Sequence, residues 1–174
     1  MRQSTLGGAK RIVIKIGSSV LRDGPDFDRV TFASIVRGIA YLRAQGVECI
    51  VVCSGAVALG FPQIGLLNRP KRIERLQASA AVGQGRLIRF WTDELSHYQL
   101  TAAQVLLTHD DMKNRRRFLA ARHTLRALLE LGAIPIINEN DTVAIEEIKM
   151  GDNDLLSSQV VSLTEASALI ILSD

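Results

Sequence analysis

Five short apolar runs, each followed by a longer segment with helical spacing or by the chain end, constrain the fold of this chain most strongly. The runs cover residues 11–16, 47–53, 100–107, 133–137 and 168–172. Runs this short and this apolar are typical of strands that are buried on both faces. Strands that alternate with helices indicate βαβ units. We therefore predict an α/β fold, a three-layer sandwich with a mainly parallel central sheet flanked by helices.

The segments between these runs predict the helices. Apolar residues recur at helical spacing over residues 27–42, about 72–98, 111–131 and 154–166. Gly83 and Gly85 are expected to weaken the second of these helices, because glycine is a poor helix former. Residues 143–150 are predicted to form a small hairpin. Residues 1–10 are predicted to be a flexible N-terminus, so that the folded domain spans residues 11–174.

The composition excludes several classes of protein. The 174 residues suffice for one domain with its own core, and 47% hydrophobic with 22% charged residues is an ordinary soluble balance. A net charge of +3 with 5% aromatic residues gives no nucleic-acid signature. No apolar stretch reaches the roughly 18–20 residues of a membrane span, and the N-terminus has no secretory signal. We expect no membrane or nucleic-acid partner and a cytoplasmic location.

The two cysteines, Cys49 and Cys53, lie in the same apolar run. In a strand they would be about 13 Å apart. A disulfide requires Cα atoms within about 7 Å. We therefore predict free, buried thiols, as is usual in a reducing compartment.

The densest polar stretch surrounds the end of the fourth run. Residues 138–141 have the sequence Asn-Glu-Asn-Asp, and residues 151–154 have the sequence Gly-Asp-Asn-Asp at the start of the last helix. Ligands of open α/β sheets bind outside the carboxyl ends of the strands, which makes this stretch a candidate site. Asn, Asp and Gly also favour turns, so a solvated turn is the alternative.

Two other strand ends carry residues suited to anions. Lys15, Gly17 and Ser18 end the first run, where a lysine can reach a phosphoryl group and a glycine admits close approach. Residues 54–56, Ser-Gly-Ala, follow the second run and open a short helix, whose N–H groups attract anions. The alternatives are an ordinary turn and a plain serine N-cap. Neither segment is a Walker A loop or a dinucleotide fingerprint.

These strand ends are expected to converge, because a parallel sheet places the carboxyl ends of its strands on one edge. Lys15, Ser54, residues 138–141 and Asp154 would then face a single crevice. The three histidines have no metal-ligand spacing, and no metal-binding residue is predicted. The arginine-rich segments 69–72 and 115–117 are interpreted as solvated surface.

Six segments together resemble one known family. They are Val13–Val20, Val52–Ala56, Ala80–Gln84, Gln104–Thr108, Ile137–Asp141 and Ile148–Asp154. In order and spacing they resemble the glutamate 5-kinase family of the amino-acid kinase superfamily. The paired Asn-Glu-Asn-Asp and Gly-Asp-Asn-Asp segments are the most specific part of this resemblance.

The resemblance implies transfer of a phosphoryl group from ATP to the γ-carboxylate of L-glutamate, the first step of proline synthesis. It implies Mg²⁺ bound mainly through ATP, a homo-oligomer, and proline as a feedback inhibitor. It also implies that residues 11–174 are the substrate-binding part of the kinase domain. The nucleotide-binding part, with a second catalytic lysine, and any PUA domain would lie beyond residue 174.

The same resemblance assigns roles to individual residues. The catalytic residues would be Lys15 and Asp154. Glutamate would be bound by Ser54, Gly55, Ala56, Asn138, Asp141 and Asn153. The nucleotide would be bound by Lys15, Gly17, Ser18, Ser173 and Asp174.

Two other functions fit the same sequence. One is a related kinase acting on another small anion, such as acetylglutamate, carbamate or aspartate. The other is a glutamate-binding fragment without catalysis, because the nucleotide-binding part is missing. A carboxylate acceptor is already ionised at neutral pH, so a kinase of this kind requires no general base.

Overall fold

The computed structural model describes residues 8–23, 26–144 and 153–173. Its main sheet has five strands, all parallel, in the order β5-β6-β4-β1-β7. These strands are β1 (Arg11–Ile16), β4 (Glu48–Cys53), β5 (Ala102–Leu107), β6 (Ile134–Glu139) and β7 (Ala168–Leu172). Each coincides with a predicted run, which confirms the predicted fold class. Two short strands, β2 (Arg22–Asp23) and β3 (Asp26–Phe27), form a separate antiparallel pair.

Helices cover both faces of the sheet. They are α1 (Arg29–Ala44), α2 (Ala56–Gly60), α3 (Ile73–Ser96), α4 (His109–Lys113), α5 (Arg115–Glu130) and α6 (Asn153–Thr164), with a 3₁₀ turn at Phe61–Ile64. One core, between the sheet and helices α1 and α3, includes Ile14, Val36 and Trp91. A second core, against α5 and α6, includes Val13 and Leu125. These two cores separate the three predicted layers.

The segment predicted as one helix over residues 111–131 is two helices, and this prediction was wrong. Asn114 lies between them in an extended conformation, with φ −85° and ψ 112°. Its side chain accepts hydrogen bonds from the backbone N–H groups of Arg116 and Arg117, both at 3.1 Å. Asn114 therefore caps α5, because asparagine at an N-cap satisfies N–H groups that have no helical partner.

The helix predicted to be weakened by glycine runs without a break from Ile73 to Ser96. Gly83 faces the short helix α2, and Gly60 of α2 faces back toward α3. The two helices cross at these glycines. A side chain at either position would collide with the backbone of the other helix and hold the two helices apart. Gly83 is therefore a packing residue of α3.

Several further predictions can be compared with the structure. Cys49 and Cys53 are free and buried, as predicted. His109 begins α4 and is buried. Most of the predicted hairpin at residues 143–150 lies outside the described residues. Within the described parts of the chain, no helix combines the length and apolar character that crossing a bilayer requires.

Candidate functional site

The carboxyl ends of the parallel strands lie along one edge of the sheet. Gly17 follows β1, Ser54 follows β4 and Ser173 follows β7 at this edge, and Asn138 lies near the end of β6. The N-terminus of α6 joins them, because the Asn153 side chain contacts both Ser54 and Asn138. The structure thus brings together the strand ends that the sequence singles out.

Lys15 and Asp154 form an ion pair at this edge. Side chains of a strand alternate between its two faces. Lys15 therefore lies on the same face of β1 as Val13, toward α6. Lys15 is 9% exposed, and its Nζ lies 2.7 Å from Asp154 Oδ1. Asp154 is in the first turn of α6, where the helix dipole favours a carboxylate.

Gly17 keeps the space beside this ammonium group open. A Cβ atom at Gly17 would lie 3.8 Å from Lys15 Nζ and 3.5 Å from the Leu172 carbonyl oxygen. The Gly17 N–H donates to that same oxygen at 3.1 Å, which ties the end of β1 to β7. The cation therefore has room for a polar group beside it.

Three side-chain amides form a connected network across the edge. Asn153 Nδ2 donates to the Cys53 carbonyl oxygen at 2.9 Å, to Ser54 Oγ at 2.8 Å and to Asn138 Oδ1 at 3.1 Å. Asn138 Nδ2 in turn donates to Gln84 Oε1 at 2.9 Å. Asn138 and Asn153 are both buried. The network therefore connects the ends of β4 and β6 with helices α3 and α6.

The segment after β4 turns sharply into α2. Gly55 has φ 115°, a backbone conformation that glycine adopts readily and other residues rarely do. Ala56 begins the helix and is 2% exposed. The Gly55 carbonyl already accepts from the Leu59 N–H at 2.9 Å. This turn places the Ser54 side chain at the mouth of the site.

A cleft of about 680 Å³ opens at the same edge. Ser18, Ser54, Gly55, Ala56, Asn138, Asp141 and Asn153 all line it. The segment 61–69 also lines it, through residues that include Phe61, Leu66 and Arg69. Seven of the predicted ligand-binding residues therefore share one cavity. Its lining is mixed polar and apolar, as small-molecule sites are.

Across residues 8–23, 26–144 and 153–173, no three His, Cys, Asp or Glu side chains are grouped so as to hold a metal ion.

Comparison with known proteins gives a family for this fold and site. A family model described as the amino acid kinase family matches residues 10–174. The chain belongs to the amino acid kinase family. This confirms the resemblance drawn from the sequence motifs.

Individual relatives of this amino acid kinase chain are similar along almost its whole length. The glutamate 5-kinase of Syntrophotalea carbinolica is 52% identical over 100% of the chain, which corresponds to 47% of that relative. The glutamate 5-kinase of Thermus thermophilus is 52% identical over 95% of the chain and 45% of its own length. That of Pseudomonas putida is 49% identical over 99% of the chain and 46% of its own length. The chain spans about half the length of the curated relatives it matches.

Not every predicted site residue of this kinase chain lies in the cleft. Lys15 and Asp154 form their ion pair at the same edge, and Gly17 lies directly beside Lys15. Ser173 is exposed just after β7. Asp174 lies outside the described residues, as do Gly151 and Asp152 of the second polar cluster.

Two residues of the site were missed from the sequence. Arg69 lines the cleft, although the sequence favoured a solvated surface for residues 69–72. Gln84 belongs to the amide network, although its segment was noted only as part of the family resemblance. Neither follows a strand end, so the argument from strand ends did not reach them. Both are polar residues in the part of the chain between β4 and β5, and this is the feature they share.

Proposed function

We propose that this chain is the acceptor-binding part of a glutamate 5-kinase, which transfers a phosphoryl group from ATP to the γ-carboxylate of L-glutamate. The observation that carries the proposal is the ion pair of the buried Lys15 with Asp154, beside a cleft lined by Ser54, Asn138 and Asn153. The names of relatives about 50% identical to the chain support it.

Phosphoryl transfer between two anions depends mainly on alignment and on positive charge near the transferred group. In this proposal Lys15 supplies that charge, and Asp154 fixes the position of the ammonium group. Because the acceptor carboxylate is ionised at neutral pH, no residue has to remove a proton from it. Lys15 and Asp154 are thus the proposed catalytic residues of the chain.

The cleft offers complementary groups for the two ends of glutamate. Asp141 would pair with the α-ammonium group. The Ser54 hydroxyl and the turn at Gly55 and Ala56 would meet the α-carboxylate, because hydroxyl and N–H groups donate to carboxylates. Asn138 and Asn153 would complete the pocket. The γ-carboxylate would then extend toward Lys15.

The nucleotide would approach from the side of β7. Gly17 leaves space for a phosphate beside Lys15, and Ser18 and Ser173 lie at the same edge. Asp174 belongs to the same proposed nucleotide segment. Mg²⁺ would enter with ATP, since Mg²⁺ in kinases is held largely by substrate phosphates. Its chemistry is to neutralise charge on those phosphates.

The family resemblance supplies the remaining parts of the proposal. They are that the protein catalyses the first step of proline synthesis, is cytoplasmic, forms a homo-oligomer and is inhibited by proline. These remain part of the proposal.

The experiment is a comparison of acceptors. The chain is titrated calorimetrically with L-glutamate, N-acetyl-L-glutamate, L-aspartate and carbamate. It is then incubated with ATP, Mg²⁺, hydroxylamine and each acid, and hydroxamate is measured. We expect saturable binding of L-glutamate and no comparable binding of the others. Equal or tighter binding of N-acetyl-L-glutamate would contradict the assignment. Glutamate binding without hydroxamate would identify the chain as the binding part alone.

A further inference from the structure

The amide network has a direction that is set at one end. Asn153 Nδ2 lies 2.9 Å from the Cys53 carbonyl oxygen, an atom that can only accept. If the Asn153 amide were rotated by half a turn, its Oδ1 would face the Cys53 carbonyl oxygen, and neither atom could donate a hydrogen bond. Asn138 must therefore present its oxygen to Asn153 and its nitrogen to Gln84, whose Oε1 lies 2.9 Å away. The backbone of β4 thus determines how each amide is oriented.

Gln84 closes the other end of the network. It lies on α3, one residue after the glycine that packs against α2. Its Oε1 accepts from Asn138, while its Nε2 is buried and makes no hydrogen bond with the described residues. A buried N–H group without an acceptor is unfavourable. Gln84 keeps this orientation because the opposite one would bring two amide nitrogens together.

The direction of the network also decides what Ser54 and Asn153 can offer a ligand. Ser54 Oγ accepts a hydrogen bond from Asn153 Nδ2 at 2.8 Å, so its own hydroxyl hydrogen points elsewhere. Both lie on the cleft. Asn153 Nδ2 has two hydrogens and three protein acceptors within 3.1 Å. Both hydrogens are therefore used within the protein, and Asn153 Oδ1 is the atom of that amide that can accept a hydrogen bond from a ligand.

We propose that Gln84 is a positioning residue. The β4 backbone sets the direction of the amides, and Gln84 holds Asn138, and through it Asn153, in that direction, so that Ser54 donates into the cleft and Asn153 accepts from it. A donor beside an acceptor matches the carboxylate and the ammonium group of an α-amino acid. The identity of that ligand rests on the proposed function. The orientation of the amides does not, because it follows from the protein contacts alone.

The test compares three variants of the chain without ligand. Gln84→Met removes the acceptor and keeps the length of the side chain. Gln84→Glu keeps an acceptor at the same place. Gln77→Met is the matched control, because Gln77 also lies on α3 and donates to a backbone carbonyl, that of Ala144, outside the network. The measurement is hydrogen exchange of the Asn153 side-chain amide by ¹H–¹⁵N NMR, assigned from its loss in Asn153→Ser.

We expect the Asn153 amide to exchange at least about tenfold faster in Gln84→Met, the equivalent of one lost hydrogen bond. Exchange should stay at the wild-type rate in Gln84→Glu and Gln77→Met. The dissociation constant for L-glutamate should rise about tenfold in Gln84→Met by the same reasoning. Unchanged exchange in Gln84→Met, or equal acceleration in Gln84→Glu, would overturn the proposal.

A second variant decides the matter if Gln84→Met does not fold. Asn138→Asp keeps an acceptor for Asn153 and gives Gln84 Nε2 a carboxylate oxygen to bind once the Gln84 amide turns over. The Asn153 amide should therefore stay protected, and the Gln84 side-chain amide should become protected as well. Loss of protection at Asn153 in this variant would refute the network direction. If the variants change exchange of the Asn153 amide as expected but the wild-type chain binds no glutamate, only the proposed function is refuted.

Discussion

Gly83 lies so close to Ala56 that a Cβ atom on Gly83 would fall 1.7 Å from the Ala56 carbonyl oxygen. The contact is reciprocal, since a Cβ atom on Gly60 would fall 1.8 Å from the Ser79 carbonyl oxygen. Both obstacles are backbone atoms, which cannot move aside as a side chain can. The crossing of α2 and α3 therefore fixes the start of α2, and with it the mouth of the cleft.

Gly83→Ala should destabilise the chain, because the two helices must separate to admit a methyl group. We expect a loss of about 2–3 kcal/mol and a fall in Tm of roughly 5–10 °C, measured by thermal unfolding. Gly85→Ala is the matched control, because it lies on the same helix and its Cβ atom would meet nothing within 4 Å. That substitution should stabilise the chain by about 0.5–1 kcal/mol. Similar Tm values for the two variants would contradict the packing argument.

Lys15 should determine the preference for a ligand with a distal carboxylate. We expect the wild-type chain to bind L-glutamate roughly 10–100 times more tightly than L-glutamine, as for one charge-assisted hydrogen bond. In Lys15→Met this preference should fall toward one, measured by calorimetry with both amino acids. Lys113→Met removes an exposed lysine with an ion pair to Asp110 and serves as the control. A preference that survives in Lys15→Met would place the distal acid elsewhere.

Asp141 should recognise the ammonium group of the ligand. Asp141→Asn removes the charge with little change in size, so the dissociation constant for L-glutamate should rise roughly 10–100-fold. Glutarate, which lacks the amino group, should bind the variant and the wild type alike. Asp110→Asn, an exposed substitution outside the cleft, should leave both ligands unaffected. An equal loss for glutarate would mean that Asp141 supports the pocket without contacting the ammonium group.

The buried cysteines should make the chain less stable at alkaline pH. Burial raises the pKa of Cys49 to about 11, against an opposing effect of Arg43, and raises that of Cys53 to about 12. Between about pH 9 and pH 11 the unfolded thiols lose their protons while the folded thiols keep them. Because the folded state then binds more protons, the free energy of unfolding falls with rising pH, by about 1.4 kcal/mol per pH unit for each thiol.

Urea unfolding between pH 8 and pH 11 measures this slope. Cys53→Ala should reduce the pH dependence of the unfolding free energy by the contribution of one thiol, about 1.4 kcal/mol per pH unit. This should hold even though the substitution lowers stability at neutral pH. In the native protein neither thiol should react with a disulfide reagent at pH 8, because the thiolate is the reactive form. Rapid modification of the folded chain would show that one of the thiols is accessible.

Sequence periodicity predicted the sheet well because each strand is specified locally. The apolar runs that became β1, β4 and β7 are short and contain β-branched residues, which favours strands over helices. The edge with Ser54 and Asn138 followed from the parallel arrangement alone. Local patterns therefore sufficed for the fold and for the placement of most of the site.

Other features depended on contacts between distant elements, which sequence patterns do not show. Gly83 appeared to be a defect in a helix until its contact with Ala56 gave it a role. Asn114 divides a segment whose apolar spacing is continuous, because its side chain competes for backbone N–H groups. Gln84 joins the site only because the fold brings α3 within hydrogen-bond distance of Asn138 in β6. These residues act through tertiary structure, so a one-dimensional pattern cannot identify them.

The pairing of β1 with β7 has a consequence for how the protein is made. The Ser167 hydroxyl at the start of β7 donates to the Arg11 carbonyl oxygen, 156 residues earlier in the chain. Bringing such distant segments together is entropically slow, and it governs the rate at which sheets of this kind form. A nascent chain still holding β7 inside the ribosome leaves one side of β1 unpaired. Lys15 of β1 thus acquires its ion-pair partner Asp154 only after α6 has been translated.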